Sequence, residues 1–468
     1  MRTLAIDKYD FLSLCRKGMP ELASMARQPN KTTLAIALCA LGVTAYAAVV
    51  PVSPVGGKTV ALLPEAQKKI MAFATYEERL AALKADKAKP HDAHFYCKDR
   101  ETKWRISAPL VLEWQTTDGE KGPWRILIGT SPDFANAREL WPNPEETRKM
   151  AMSGDSSMSE KTQGNVRCYT YNVPRPNLEL GRTYYWKIWS DVKCRNYSHG
   201  STLKAACPCG RGRAAVASQT ASFTTEDLPP RWIKLEGKVG NMRDLGGWKT
   251  LDGRRIRQGM VYRGTGLNNS SVNGDRIGRS RLTVEDVSYM KDVLGIKTDL
   301  DLRTKRELAT MDKSPLGDGV RFIHQPSPAY LGLFAKGGFN DELCPDAKKA
   351  TAENFRVFCD KANYPIYFHC IGGADRTGSL SYILCGVLGV SKHDIEVEWE
   401  ATFYPELPEM AKDYKGPDSW RSKRHFDKGF EKYGDEKTPW NERIRLYLLD
   451  CGVTEEEIAA FRSIMLED

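Results

Sequence analysis

Apolar positions are spread unevenly along this chain, and each stretch predicts a different kind of element. Thr32 to Val50 carries no charge, follows Arg27 and Lys31, and contains the small-x-small triplet Ala45-Tyr-Ala47. That pattern predicts an export segment within residues 1–55, with Met25 as a conventional start, and cleavage preferred over retention. The run is nearly long enough to cross a bilayer, so a membrane contact is expected only if the segment stays uncleaved. From Gly56 the chain turns Ala-, Lys- and Glu-rich, as in Glu65-Ala-Gln-Lys-Lys69, which predicts a helical linker over 56–95.

Between 96 and 226 the pattern changes to short runs of alternating or continuous apolar residues. Leu110–Trp114, Trp124–Ile128, Thr183–Trp189 and Ala221–Thr225 read as strands, and strands at such spacing predict an all-β sandwich. Glu226-Asp-Leu-Pro-Pro230 then breaks any continuing strand and marks a linker. In the C-terminal half, Tyr364–Cys370 reads as a short apolar strand, and Leu380, Ile383, Leu384, Val387 and Leu388 recur at helical spacing.

Composition changes this picture little. With 468 residues there is room for two or three domains, and 41% apolar with 28% charged residues suits globular units with real cores. A net charge of +9 is modest at this length, and no basic run interleaved with aromatics argues for nucleic acid. There are twelve cysteines. Cys97, Cys168, Cys194, Cys207 and Cys209 lie in or beside the sandwich, where export would favour disulfides with at least one left over. Cys194, His199, Cys207 and Cys209 match no standard zinc spacing, so no metal and no cofactor are expected.

The chemistry is concentrated between that strand and that helix, in His369-Cys-Ile-Gly-Gly-Ala-Asp-Arg-Thr-Gly378. A thiolate, not a thiol, is the nucleophile, and a helix N-terminus lowers a cysteine's pKa. Gly372 and Gly373 let the backbone curl so that the amides of Ile371 to Ala374 point inward as an anion nest. Arg376 offers a planar fork for two phosphate oxygens.

The stretch resembles the signature loop of the cysteine-dependent protein tyrosine phosphatase superfamily. Its Asp-Arg-Thr-Gly ending is similar to a bacterial tyrosine-phosphatase-like family. Gly240-Asn-Met-Arg-Asp-Leu-Gly-Gly-Trp248, Asp299-Leu-Asp-Leu-Arg-Thr-Lys-Arg-Glu307 and Leu449–Ile458 resemble further blocks of that family, in its order. The resemblance covers 232–468 and implies an α/β phosphatase domain with a central sheet flanked by helices. Leu178-Glu-Leu-Gly-Arg-Thr-Tyr184 likewise resembles the tyrosine-corner segment of fibronectin type III domains. Such a module suits a spacer, or docking to a cell-envelope partner.

The expected reaction is two-step phosphoryl transfer, with Cys370 as nucleophile and Arg376 and the loop amides holding the phosphate. The resemblance implies that Asp375 is the general acid. Asp301 is the alternative, with a purely structural anchor as its other reading. Thr377 is expected to donate to the Cys370 sulfur, His369 to fix the loop, and Arg243 and Asp244 to orient it from behind. Cys359 is expected to pack in the core, a reversible disulfide with Cys370 being the alternative. The family has lysine where this chain has Ala374, which shifts the expected substrate from highly anionic phosphoinositides toward phosphotyrosine or another simple monoester. Arg243, Lys249 and Arg303 remain stand-ins for that charge. A phosphoinositide phosphatase and a non-catalytic phospho-ligand binder are the competing readings.

Overall fold

The computed structural model describes residues 49–85, 107–117, 124–140, 142, 158–173, 175–190, 216–269, 279–308, 311–334, 346–403 and 424–467. Two sheets form the N-terminal half. The first runs in the order β1 (Val49–Ser53), β3 (Leu110–Thr117), β7 (Val166–Val173), β6 (Met158–Gln163). The second runs β2 (Lys58–Val60), β10 (Ala221–Thr225), β8 (Thr183–Ser190), β4 (Trp124–Gly129), β5 (Arg138–Leu140), with β9 (Val216–Ala217) beside β8. Strict alternation puts every second residue of β4 and β8 inward. One apolar cluster draws on both sheets, centred on Trp114, Trp124 and Tyr169, whose rings lie 5.0 to 5.6 Å apart.

The segment before this region differs from its expected form. Val49–Ser53 is a strand paired with β3, and Lys58–Val60 pairs in parallel with β10 instead of opening a helical linker. Prolines and a continuous apolar run hide the alternation of the first, and the second is three residues fixed by a partner far along the chain. Helices do follow, α1 (Glu65–Met71) and α2 (Tyr76–Ala85), but they are no free stalk. Ile70, Met71 and Tyr76 belong to the same core as the C-terminal half. Most of the apolar run expected to direct export, residues 32–48, lies outside the described residues, as do Cys97, Cys194, His199, Cys207 and Cys209. Cys168 carries a free thiol in β7.

The C-terminal half is built on a sheet ordered β11 (Arg231–Trp232), β12 (Arg243–Asp244), β13 (Val261–Gly264), β16 (Ile366–His369), β14 (Thr298–Asp301), β15 (Arg321–His324). The last four are mutually parallel, so both faces must be covered. Helices α3 (Val284–Ser288), α4 (Lys305–Leu308), α5 (Ala347–Cys359), α6 (Arg376–Leu388), α7 (Lys392–Glu400), α8 (Arg424–Phe430), α9 (Trp440–Asp450) and α10 (Glu455–Met465) accompany it. All four residues of β16 are buried, as is every residue of α6 from Thr377 to Leu388. Gly389 ends α6 in the left-handed conformation, φ 98°. Register aligns Gly264, His369 and Asp301 side by side. This is the carboxyl edge of the parallel strands, where open α/β sheets place their ligands.

Candidate active site

β16 delivers Cys370 to this edge, and α6 begins at Arg376, so the loop between them spans five residues ahead of a helix N-terminus. Gly373 takes φ 64°, and a side chain there would strike the Gly264 carbonyl at 2.3 Å. Only glycine fits both demands. The Gly266 amide donates to the Ile371 carbonyl (3.0 Å), and the Leu302 amide to that of His369 (2.8 Å). The loop is thus stitched to the ends of both neighbouring strands.

Cys370 is buried, with 2% of its surface exposed. Burial pushes its thiol pKa up, but the Arg376 charge and the hydroxyl and amide of Thr377 outweigh burial and Asp375, leaving it below the ordinary value. Among the described residues the buried Thr377 hydroxyl has no oxygen or nitrogen partner, which leaves it for the sulfur. Glu307 grips Arg376 through both terminal nitrogens, at 2.5 and 2.9 Å. The Nε–H and the remaining fork hydrogens stay available for an anion. Burial raises the Glu307 carboxyl, yet Arg376 holds it below its usual range.

His369 lies 3.0 Å from the Asp299 carboxylate through Nε2 and 3.1 Å from the Cys370 carbonyl through Nδ1. Both partners are acceptors, so the ring donates at both nitrogens and is an imidazolium. Its pKa is raised accordingly: burial opposes the charge, and Asp301 and Asp299 overcome it. His369 thus ties the Cys370 carbonyl to Asp299.

Behind the loop sits a buried Arg–Glu–Arg cluster. Glu398 of α7 accepts from Arg243 (2.8 Å) and Arg263 (2.8 Å). Arg263 reaches the Gly373 carbonyl at 2.6 Å. Arg243 holds Asn241 at 2.6 Å, and the Asn241 amide donates to the carbonyls of Gly372 and Gly373 at 3.2 and 3.1 Å. Asn241 takes φ 52°, a region asparagine tolerates better than most residues. Burial and the neighbouring Arg263 push the Arg243 pKa down to about 10, so it stays charged at neutral pH. Arg243 thus reaches the loop through Asn241.

Asp244 does not. Successive strand residues face opposite ways, so its carboxylate points away from the loop, to Arg231 (2.8 Å) and the amides of Gly246 and Gly259. Arg231 in turn bonds the Leu178 carbonyl, so Asp244 serves the junction between the two halves.

Asp301 has the surroundings of its structural reading. Arg303 binds it through Nε (2.9 and 3.0 Å), Nη2 (2.5 Å) and its own amide (2.9 Å). Burial alone would raise its carboxyl, but His369 and Arg303 hold it below the usual range. The Arg303 contacts make it an anchor for that side chain. Asp375 is half-buried at the loop's end, 3.0 Å from the Tyr330 hydroxyl. Tyr330 takes φ 50°, a strained conformation for tyrosine that costs on the order of 1–3 kcal/mol. The Cys359 sulfur donates to the carbonyls of Phe355 and Glu457, and burial pushes its pKa up to about 12. It packs between α5 and α10.

Asn241 and Glu307 lie inside the resembling blocks without an assigned role, and the local signals were there. Glu398 and Tyr330 had none: Glu396-Val-Glu-Trp-Glu400 reads as a solvated helix face.

A model of the tyrosine phosphatase family matches residues 233–467. The chain belongs to that family. A Cupriavidus necator protein named "Putative tyrosine-protein phosphatase" is 28% identical over 180 residues, 34% of this chain. The chain spans 58% of that relative's length. Two solved structures show weaker likeness. The core catalytic domain of the PP-IP phosphatase SIW14 from S. cerevisiae, in complex with citrate, has TM-score 0.22 and 16% identity, covering 36% of this chain and 87% of that one. A second structure of the Siw14 catalytic core has TM-score 0.22 and 17% identity, covering 36% and 86%. At such scores the likeness says nothing about this chain's substrate.

Proposed function

We propose that this chain is a cysteine-dependent phosphatase that hydrolyses phosphate monoesters, with phosphotyrosine or dual specificity. The observation that carries the reading is the Cys370 thiol, held below its ordinary pKa despite full burial, beside the Arg376 fork. In the first step the thiolate attacks phosphorus, forming the S–P bond as the ester P–O bond breaks. The Asp375 carboxyl gives its proton to the departing oxygen. In the second step water attacks phosphorus and the S–P bond breaks. Asp375 takes the proton of that water, and Thr377 donates to the leaving sulfur. Arg376 and the loop amides hold the equatorial oxygens throughout.

Ala374 leaves the loop without the family's extra charge, and the three stand-ins do not supply it. Arg243 and Arg303 are fully buried in ion pairs, while Lys249 sits beside Asp227 at the junction with the sandwich. This favours simple monoesters over polyanionic lipids. For the N-terminal half we propose a fibronectin type III-like module, supported by the Glu179 amide donating to the Tyr184 hydroxyl (3.0 Å) in the manner of a tyrosine corner. Export is proposed with it: cleavage after Ala47 would leave a chain beginning one residue before the first strand.

The test is turnover of a chromogenic aryl phosphate, abolished in Cys370→Ser, followed by a panel of phosphotyrosine peptide, phosphoserine peptide and phosphoinositide. No turnover by the wild type from acidic to neutral pH would sink the enzymatic reading. Preference for the phosphoinositide would reverse the substrate assignment.

A further inference from the structure

The helix pair α1–α2 lies outside the residues matched by the family, yet it contacts the candidate site's support at three points. Arg79 of α2 is fully buried. Its Nε and Nη2 hold Glu400 at 2.6 and 2.8 Å, and Nη2 also reaches Glu396 at 3.2 Å. Nη1 reaches the Phe73 carbonyl (3.0 Å) and Nδ1 of His393 (3.2 Å). Four of these contacts end on oxygens and use N–H donors from all three guanidinium nitrogens, which a lysine could not reproduce.

Helical geometry gives those bonds their consequence. Glu396 and Glu400, four residues apart, share one face of α7. Glu398 is two residues from each, about 200° around the helix, on the opposite face. That face holds Arg243 and Arg263, and through them the carbonyls of Gly372 and Gly373. So α7 is gripped by α2 on one side and grips the loop on the other.

A second route runs through rings. Tyr76 of α2 packs on Trp399 (6.3 Å), Trp399 meets Tyr330 edge-on (6.2 Å, 88°), and the Tyr330 hydroxyl donates to Asp375 (3.0 Å). A third uses α1: the buried Gln67 side chain accepts from the Trp232 indole (3.1 Å), and that ring lies 5.2 Å beneath the Arg243 guanidinium.

We propose that α1–α2 is a positioning element of the active site, with Arg79 setting the signature loop through α7 and Tyr76 setting Asp375 through Trp399 and Tyr330. This rests on the phosphatase reading, with Asp375 as the acid. A purely structural helix pair would lower the melting temperature and leave the chemistry of the folded enzyme alone. A positioning pair changes the chemistry, because an error of about 1 Å in a reacting group can cost 100-fold in rate.

The experiment uses the full chain and its Tyr76→Leu, Arg79→Met and Arg79→Lys variants, each assayed well below its own melting temperature. Phenyl phosphate needs its leaving oxygen protonated; 2,4-dinitrophenyl phosphate does not. Tyr76→Leu is expected to lose about tenfold or more in kcat on phenyl phosphate while staying within about twofold on the dinitrophenyl ester. Arg79→Met is expected to fall about tenfold on both and to slow iodoacetate alkylation of Cys370, with Arg79→Lys part-way between. Wild-type rates, substrate ratio and alkylation in the folded variants would overturn the proposal. If Arg79→Met does not fold, Tyr76→Leu and Arg79→Lys decide. If the wild type turns over neither ester, the phosphatase reading falls, and the alkylation rates still decide whether Arg79 sets the loop.

Discussion

Replacing Glu398 by glutamine should expose how much of the loop's geometry depends on one buried charge. Glu398 stands between Arg243 and Arg263, each 2.8 Å away, and all three side chains are at most 2% exposed. The amide keeps the shape but removes the charge. One of its two ends becomes a donor facing a guanidinium that has only donors. At least one charge-assisted hydrogen bond is lost, about 1.5–3 kcal/mol, and two buried cations lose their counter-ion. Breaking a buried pair from one side costs about 3–5 kcal/mol, and that is the expected loss in urea unfolding. The pH dependence carries a signature. Burial raises the Glu398 carboxyl, but the two arginines hold it below its ordinary 4.5. A lowered folded-state pKa gives stability that is complete above the unfolded value and is lost as pH falls through the folded one. The gap between wild type and Glu398→Gln should therefore be constant at neutral pH and shrink below about pH 4.5. A variant within about 0.5 kcal/mol of wild type, or a gap unchanged in acid, would refute the reasoning.

Three further outcomes follow from the site. Asp375→Asn should lower kcat on phenyl phosphate by about 100-fold or more with little loss on the dinitrophenyl ester, whereas Asp301→Asn should chiefly lower the urea midpoint; the reverse pattern would return the acid to Asp301. Thr377→Val should shift the midpoint of iodoacetate alkylation of Cys370 to higher pH, because a donor to the thiolate is gone; an unmoved profile would show that Arg376 alone sets the thiol. Glu307→Ala frees Arg376 from its two-point hold and should weaken binding of vanadate, a phosphate mimic, by about tenfold, with the Cys370 alkylation rate much less affected; unchanged vanadate affinity would leave Glu307 without a positioning role.

The local chemistry of the site was legible in the chain because it is encoded locally. Cys370, the glycines, Arg376 and Thr377 lie within eight consecutive residues, and a strand and a helix at their expected places aim them. Asp244 was misread because two adjacent strand residues were given one role, although they must face opposite sides of the sheet. Asp301 could not be settled from sequence, since an ionised anchor and a proton donor look alike until Arg303 is seen folded back onto it. Glu398 and Arg79 were hidden for a deeper reason. A charged helix face is usually solvated, and only a partner some 320 residues away in the chain turns Glu400 into a buried group. The strand at Lys58–Val60 was hidden in the same way, its pairing with Phe223–Thr225 leaving no local pattern.

The central claim is that phosphate passes through the sulfur of Cys370. Rapid mixing with an aryl phosphate, acid quench and peptide mass analysis of the full chain tests it most directly. The account predicts a phosphate adduct on the peptide carrying Cys370, appearing with the first burst of phenol and absent in Cys370→Ser. Phenol released with no adduct on that peptide, or turnover surviving in Cys370→Ser, would contradict it.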